Sequence, residues 1–385
     1  MKELLNQLNP WWEDNYEINF KIREKYIPQL VSLTKTKEVI FLIGLRRVGK
    51  TTLLKQTIHK LLKEGIDKKH IFYASMDMLA FNTLTIYEII REFKKLNSIP
   101  NNEQVYLFLD EITSKEHFNQ ELKNLYDLGN FKLFVSSSSA SALRDKGAFL
   151  TGRVKYIEIE PLDFKEFCLF RNYNLKSSEM YLIENYFEEY MEIGGMPEYV
   201  LTKDPTYITD LVNNIVLKDI IAKHNLKNNE LVFDLLKLLL ERVGKKLSYT
   251  KLSKILNLSK DTIQSYINYF IETYLFSKIE LHGKLNEVIK ADKKFYCGDV
   301  GIKNVLVGFR DKGAIYENLV YNKIKSENPK YYSKDGFEID FITKTKLIEA
   351  KYGQTMNENQ KELFNKVKLK TKIIANGYSF FLDED

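Results

Sequence analysis

Cysteine is nearly missing from this chain: only Cys168 and Cys297 occur, far apart and in unrelated contexts. That scarcity excludes a disulfide scaffold and a thiolate zinc site, and it fits a reducing compartment. Also lacking is any apolar run long enough to span a bilayer. The longest, VIFLIG from Val39 and VYLFLD from Val105, have the length of strands. No apolar stretch follows a basic start, because MKELLNQLNPWWEDNYE is amphipathic and acidic. The cytoplasm is therefore the expected location, and no membrane partner is expected. Internal repeats, low-complexity tracts and long flexible linkers are missing too, so the domains are expected to pack on one another.

What is present reads as a soluble globular protein. Its 385 residues suggest two to four domains, and 44% apolar with 29% charged residues is ordinary for that class. A net charge of +6 is compatible with a nucleic-acid partner without being diagnostic of one. From Glu38 to Ile159, short apolar strands (VIFLIG, HIFYASM, QVYLFLD, KLFVSSS, VKYIEIE) alternate with amphipathic helical stretches. Such alternation predicts a mostly parallel sheet covered on both faces. From Leu162 to Lys237 helical periodicity takes over, punctuated by GGMPEYV at Gly194.

The first chemical motif lies between strand and helix. Gly44, Leu45, Arg46, Arg47, Val48, Gly49, Lys50 and Thr51 fit G-x-x-x-x-G-K-[ST] in full, with Thr52 next. Glycines let backbone N–H groups curl round phosphates, and the following helix N-terminus favours negative charge. Lys50 is expected to reach the β- and γ-phosphates and the Thr51 hydroxyl to bind Mg²⁺. VYLFLDE supplies the second half, about 60 residues further on: Asp110 would hold Mg²⁺ through water, and Glu111 would polarise the attacking water. At the next strand end, in SSSS, Ser136 is the natural polar group to touch the γ-phosphate or the attacking water, with Ser137, Ser138 and Ser139 as alternatives. Arg153 is a candidate transition-state charge stabiliser, acting in trans only in a homo-oligomer; a surface arginine before an edge strand is the alternative.

Taken together, GLRRVGKTT, LFLDEI, SSSSA, GR…IEIEPLDFKEF, GGMPEYV and IVLKDI resemble a bacterial and archaeal family of AAA-type ATPases. Its members carry a C-terminal domain of unknown function, DUF4143, and the likeness runs from NPWW to EIDF…IEAKY. The resemblance implies a P-loop sheet, with the catalytic-acid strand beside the phosphate-loop strand, followed by a helical lid. It implies ATP and Mg²⁺ as cofactors and leaves the cargo open. One departure is SSSS, where a glycine usually interrupts a threonine-led run.

Behind the lid, LSYTKLSKILNLSKDTIQSYINYFIETYLFSKIEL carries the pattern of a winged helix-turn-helix. Ser259 caps the second helix, and Leu252, Ile255, Leu256, Leu258, Ile263, Ile267 and Phe270 are spaced to bury one face of each helix. A wing hairpin from FSKIEL to KKFYCGD is expected. Were the second helix to enter a major groove, Lys260, Thr262, Gln264 and Ser265 would face it, with Asp261 and Glu272 countering the charge. DNA is thus a candidate partner, with a packing module as the alternative.

The last segment predicts helix, three strands, helix, strand. FEIDFITKTKLIEAKY places Asp340 on one strand and Glu349 and Lys351, two apart, on one face of the next. The helix upstream offers Glu317. This layout resembles the PD-(D/E)xK nuclease superfamily, in which two carboxylates, here Asp340 and Glu349, bind a divalent cation and the lysine orients water. A charged wet face on an edge hairpin is the alternative.

The sequence thus predicts an α/β protein: an N-terminal helical segment (1–37), a P-loop NTPase parallel sheet (38–161), a helical lid (162–237), a winged helix-turn-helix (238–312) and a small α/β restriction-endonuclease-like domain (313–385). The expected function is ATP hydrolysis acting on or regulated by DNA. The alternative is a nucleotide-dependent switch that binds a protein partner and cuts nothing. A small-molecule kinase is disfavoured, because Glu111 after Asp110 suits water activation.

Overall fold

The computed structural model describes residues 1–14, 16–139, 150–175 and 177–382. The end of the serine-rich stretch, from Ala140 on to 149, lies outside them. Contacts divide the chain into two compact units, 1–159 and 160–385.

The first unit is built on five parallel strands: β1 (Val39–Ile43), β2 (Ile71–Ser75), β3 (Val105–Asp110), β4 (Phe131–Ser137) and β5 (Val154–Glu158). Their order is β2-β3-β4-β1-β5, so the strand ending in Asp110 is separated from the phosphate-loop strand by β4. The expected adjacency of β3 and β1 is corrected here: β4 lies between them. Strands β1 to β4 are buried almost throughout, as continuous apolar runs are when helices cover both faces. Edge strand β5 instead exposes Lys155, Tyr156 and Glu158, and its two charged residues discourage edge pairing.

The opposite edge, β2, is closed by the N-terminal segment. Asn9 pairs with the Tyr73 backbone as a strand would, donating to its carbonyl at 3.0 Å and accepting its N–H at 2.6 Å. Trp11 and Trp12 both donate their indole N–H to the Ile71 carbonyl, at 3.1 and 2.9 Å. NPWW is therefore an edge cover that satisfies backbone groups which would otherwise face water or another chain.

The second unit opens with helices, among them Phe164–Arg171, Ile183–Ile193 and Pro205–Asn214. The last runs into a π-helical stretch over Ile215–Ala222, the IVLKDI segment. The winged helix follows, with β6 (Lys246–Leu247), helices Tyr249–Leu256 and Lys260–Glu272, then β7 (Phe276–Ile279) and β8 (Lys293–Cys297), in antiparallel order β6-β8-β7. Ser259 caps the second helix by accepting from Thr262 N at 3.1 Å. Leu252, Ile263, Ile267 and Phe270 are buried as expected, but Ile255 is 54% exposed. It lies one position off the buried stripe, facing solvent. The expected plain hairpin also carries a short helix, Leu285–Lys290, between its strands.

The C-terminal sheet is β9 (Lys330–Lys334), β10 (Phe337–Ile342), β11 (Lys346–Lys351) and β12 (Thr371–Asn376), ordered β12-β11-β10-β9. Strands β11 and β12 run parallel through the crossover helix Glu358–Lys366. That helix covers one face, where Ile339, Ile342, Leu347, Leu363 and Phe364 cluster. On the other, Phe341 meets Tyr296 of β8 and Tyr321 of the helix Lys312–Ile324. Beyond β7, His282 N donates to the Tyr331 carbonyl at 2.7 Å and Tyr331 N donates to the Glu280 carbonyl at 3.1 Å. These bonds sew the winged-helix sheet to β9.

GGMPEYV is explained by a tight joint. The buried Asp299 carboxylate accepts from Gly195 N at 2.7 Å and Gly301 N at 2.9 Å. A Cβ on Gly195 would lie 2.2 Å from the Leu162 carbonyl oxygen, and one on Gly301 would lie 1.9 Å from that of Ile193. Gly301→Ala therefore forces backbone apart, at about 2–3 kcal/mol. Thermal unfolding should show the second unit melting roughly 5–10 °C lower; an unchanged midpoint would show that the joint yields.

Candidate functional site

The phosphate loop connects β1 to the helix Lys50–Lys63. Leu45 and Val48 point into the core, 2% and 0% exposed, which anchors the loop by its apolar residues. Gly49, at φ +101°, has nothing within 4 Å of where a Cβ would stand, so its backbone is bare on the outer side. Gly44, at φ +135°, leaves no room for a Cβ, which would meet the Ile159 carbonyl oxygen at 2.4 Å. The Lys50 ammonium donates to the carbonyls of Gly44 and Leu45, at 2.9 and 3.0 Å, bending across the loop. From outside the motif, Arg23, 2% exposed, donates to the Val48 carbonyl at 3.1 Å. Arg46 is half-buried and its charge acts on Glu111, while Arg47 is exposed with φ +61°.

Asp110 closes the site. Its carboxylate accepts from the Thr51 hydroxyl at 2.6 Å, from the Tyr73 hydroxyl at 3.1 Å and from the Ser136 hydroxyl. Ser136 also accepts the N–H of Glu111, at 3.0 Å. It is fully buried and braces the two acids through these bonds. Ser138, two residues on, donates to Glu111 Oε2 at 3.2 Å and is the serine at the mouth of the site. Burial holds the Glu111 carboxyl above its usual range, Asp110 adds to the rise, and Lys50 opposes it.

Arg153 is not brought to this site. It precedes β5, and its carbonyl accepts from Val39 N, the first residue of β1. Gly44 follows the other end of β1, and parallel strands share their direction, so Arg153 sits at the opposite edge of the sheet. Its side chain there lies 3.5 Å from Asp127 and over the Tyr126 ring. Only a neighbouring copy could carry it to a triphosphate.

The four C-terminal residues do come together. Asp340 accepts Ala350 N at 2.9 Å, and Glu349 accepts Asp340 N at 3.1 Å. Lys351 stands 2.6 Å from Glu349, which Gln360 also approaches at 2.6 Å. Glu317 accepts from the Tyr296 hydroxyl at 2.6 Å. One more group was not foreseen: Lys294 of β8, 2% exposed, at 2.9 Å from Glu317, 2.7 Å from Glu338 and 3.7 Å from Asp340. Burial works against its charge, yet Glu317 and the other anions around it hold its pKa well above normal. Burial, then Asp340, push the Glu317 carboxyl up to about 7. Asp340 and Glu349 are likewise raised, chiefly by burial. A lone lysine in KKFY gives no sequence signal for this role, because the partners lie 23 or more residues away.

Residues 36–168 match the family model described as "AAA domain", and residues 184–313 match "Domain of unknown function (DUF8612)". The second match covers most of the lid and the winged helix. Among relatives, an uncharacterized protein of Methanocaldococcus jannaschii is 28% identical over 90% of this chain and 79% of its own. Another, of Haemophilus influenzae, is 27% identical over 92% of this chain and 93% of its own. Solved structures that align include AMPPCP-bound DnaA from Aquifex aeolicus (19% identity, 66% of this chain and 90% of that one, TM-score 0.29). The S. cerevisiae Hsp104–ADP complex also aligns (15% identity, 69% and 50%, TM-score 0.35). The AAA-domain match, lying on the strands and loop described above, supports an ATPase-type function.

Proposed function

We propose that this chain is a magnesium-dependent ATPase whose nucleotide state governs what its second unit binds, with DNA as the ligand of the winged helix. The observation that carries the ATPase reading is the 2.6 Å hydrogen bond between Thr51 and Asp110 beside an open, glycine-bounded loop at a helix N-terminus. The donor set fits the cofactor. Hard oxygens of Thr51 and, through water, Asp110 would hold Mg²⁺, while Lys50 and the N–H groups of Gly44 to Thr52 would take the phosphates. Bound magnesium would neutralise phosphate charge. Glu111, poised by Ser138, takes the proton of the attacking water, and Arg46 adds positive charge nearby.

One observation favours the alternative of a protein-binding switch. Lys246 and Lys294 are engaged in ion pairs with Glu338 and Glu317, so they do not add to a DNA-binding face. The ATPase rate measured with and without duplex DNA separates the two. Stimulation together with salt-dependent binding supports DNA, whereas a rate indifferent to DNA leaves the protein partner.

Lys50→Ala should abolish magnesium-dependent ATP binding in calorimetry, and parent-like heat would overturn the proposal. Glu111→Gln should keep ATP bound and lower turnover by about 10²-fold or more. The pH profile supplies a further check. Because burial raises the Glu111 pKa, hydrolysis should fall on acidification at a pH above the ordinary carboxylate value of 4.5. Ser138→Ala removes a donor that favours the ionised form, so it should move that acid limb higher still.

A further inference from the structure

The nuclease-like layout implies a divalent ion between Asp340 and Glu349, and the residues around them do not fit one. Among the described residues, no group of three or more His, Cys, Asp or Glu side chains is arranged to hold a metal. Backbone N–H groups already occupy one oxygen of each acid: Ala350 N on Asp340 Oδ2 and Asp340 N on Glu349 Oε2. Lys351 and Gln360 share Glu349 Oε1. The remaining oxygen, Asp340 Oδ1, faces the Lys294 ammonium at 3.7 Å.

Lys294 does not belong to the nuclease-like segment at all. It comes from β8, the central strand of the winged-helix sheet, and carries its charge into the acidic pocket of the neighbouring sheet. An ammonium has three donors, and here it meets Glu317 at 2.9 Å and Glu338 at 2.7 Å, with Asp340 behind. Lys246 of β6 adds a second cation from the same sheet, 2.6 Å from Glu338. The pocket thus sets Lys246, Lys294 and Lys351 against Glu317, Glu338, Asp340 and Glu349, close to balance without a metal. A divalent ion would have to enter beside a buried positive charge and draw oxygens to within about 2.6 Å from donors they already have.

We propose that the Lys294 ammonium is the resident cation of this pocket, standing where the nuclease-like layout would seat a divalent ion. The pocket then fastens the winged-helix sheet to the C-terminal sheet and does not cut phosphodiesters. Removing the lysine should leave Glu317 and Asp340 without their counter-charge and turn the pocket into a metal site.

The test measures Mn²⁺ uptake by the full chain without nucleotide, from the electron paramagnetic resonance signal of free Mn²⁺. Parent protein is compared with Asp340→Asn, Lys294→Met and the double variant. Parent and Asp340→Asn should take up the same Mn²⁺, which removes any contribution of the phosphate loop from the comparison. Lys294→Met should gain one equivalent, bound at least ten-fold more tightly than by the parent and lost again in the double variant. Its unfolding temperature should rise with Mn²⁺ while that of the parent does not. The proposal is overturned if Asp340→Asn costs the parent an equivalent of Mn²⁺, or if the parent cuts plasmid DNA in an Asp340-dependent way. It is also overturned if Lys294→Met folds with parent-like stability and gains no Mn²⁺. Should that variant fail to fold, the parent and Asp340→Asn pair still decides.

Discussion

The buried carboxylate of Asp110 is the constraint on which the candidate nucleotide site depends. It ends β3, the strand flanked by β2 and β4, and takes a hydroxyl from each side: Tyr73 from β2 and Ser136 from β4. The third, Thr51, comes from the helix that leaves the phosphate loop. One acid thereby ties together three neighbouring strands and a helix N-terminus. A buried anion is tolerable only with such donors, since an unpartnered carboxylate would shift its pKa and lose its charge. The requirement works in both directions. The donors satisfy Asp110, and Asp110 holds Thr51 where a magnesium ion would need it.

Much of this was legible in the sequence because it is local. Five apolar runs between amphipathic stretches give the parallel sheet, and a glycine-bounded loop followed by Lys50 and Thr51 marks the loop proposed to cradle phosphates. Asp110 and Glu111 were readable because a strand end is where a parallel sheet places its chemistry. Ser136 was not, because Ser136 and Ser137 are both fully buried and Ser138 is the serine that reaches Glu111, a difference that four identical residues in a row do not display. Arg23 and Tyr73 escaped for another reason. Each reaches the site through a tertiary approach, and neither stands in a pattern that periodicity can register. The order of the strands was misread in one respect: β4 separates β3 from β1, a pairing set by crossover geometry and not by spacing along the chain.

The acidic pocket shows the same limit from the other side. Glu317, Asp340, Glu349 and Lys351 were picked out correctly as neighbours, because strand period and hairpin register are local properties. What their chemistry amounts to depends on Lys294, delivered by a different sheet. Three acids and one lysine read as a metal site; with Glu338, Lys246 and Lys294 added, the group reads as an ion-paired joint. Replacing a buried pair by apolar residues is often neutral, but removing one partner is costly. Such a cluster therefore fixes how two sheets meet more than it adds stability.

Glu111 joins this reasoning to catalysis. Its backbone sits at φ +47°, the left-handed region that a side chain with a Cβ enters only at some cost. The cost is met locally: Ser136 takes the Glu111 N–H and gives its own proton to Asp110. The strand therefore ends abruptly after Asp110, and consecutive acids diverge, one down among hydroxyls and the other outward to Ser138. Two adjacent carboxylates with separate surroundings can hold separate tasks, one beside a metal ion and one beside water. Past this left-handed turn, Glu111 lies within reach of the Lys50 and Arg46 charges of the loop.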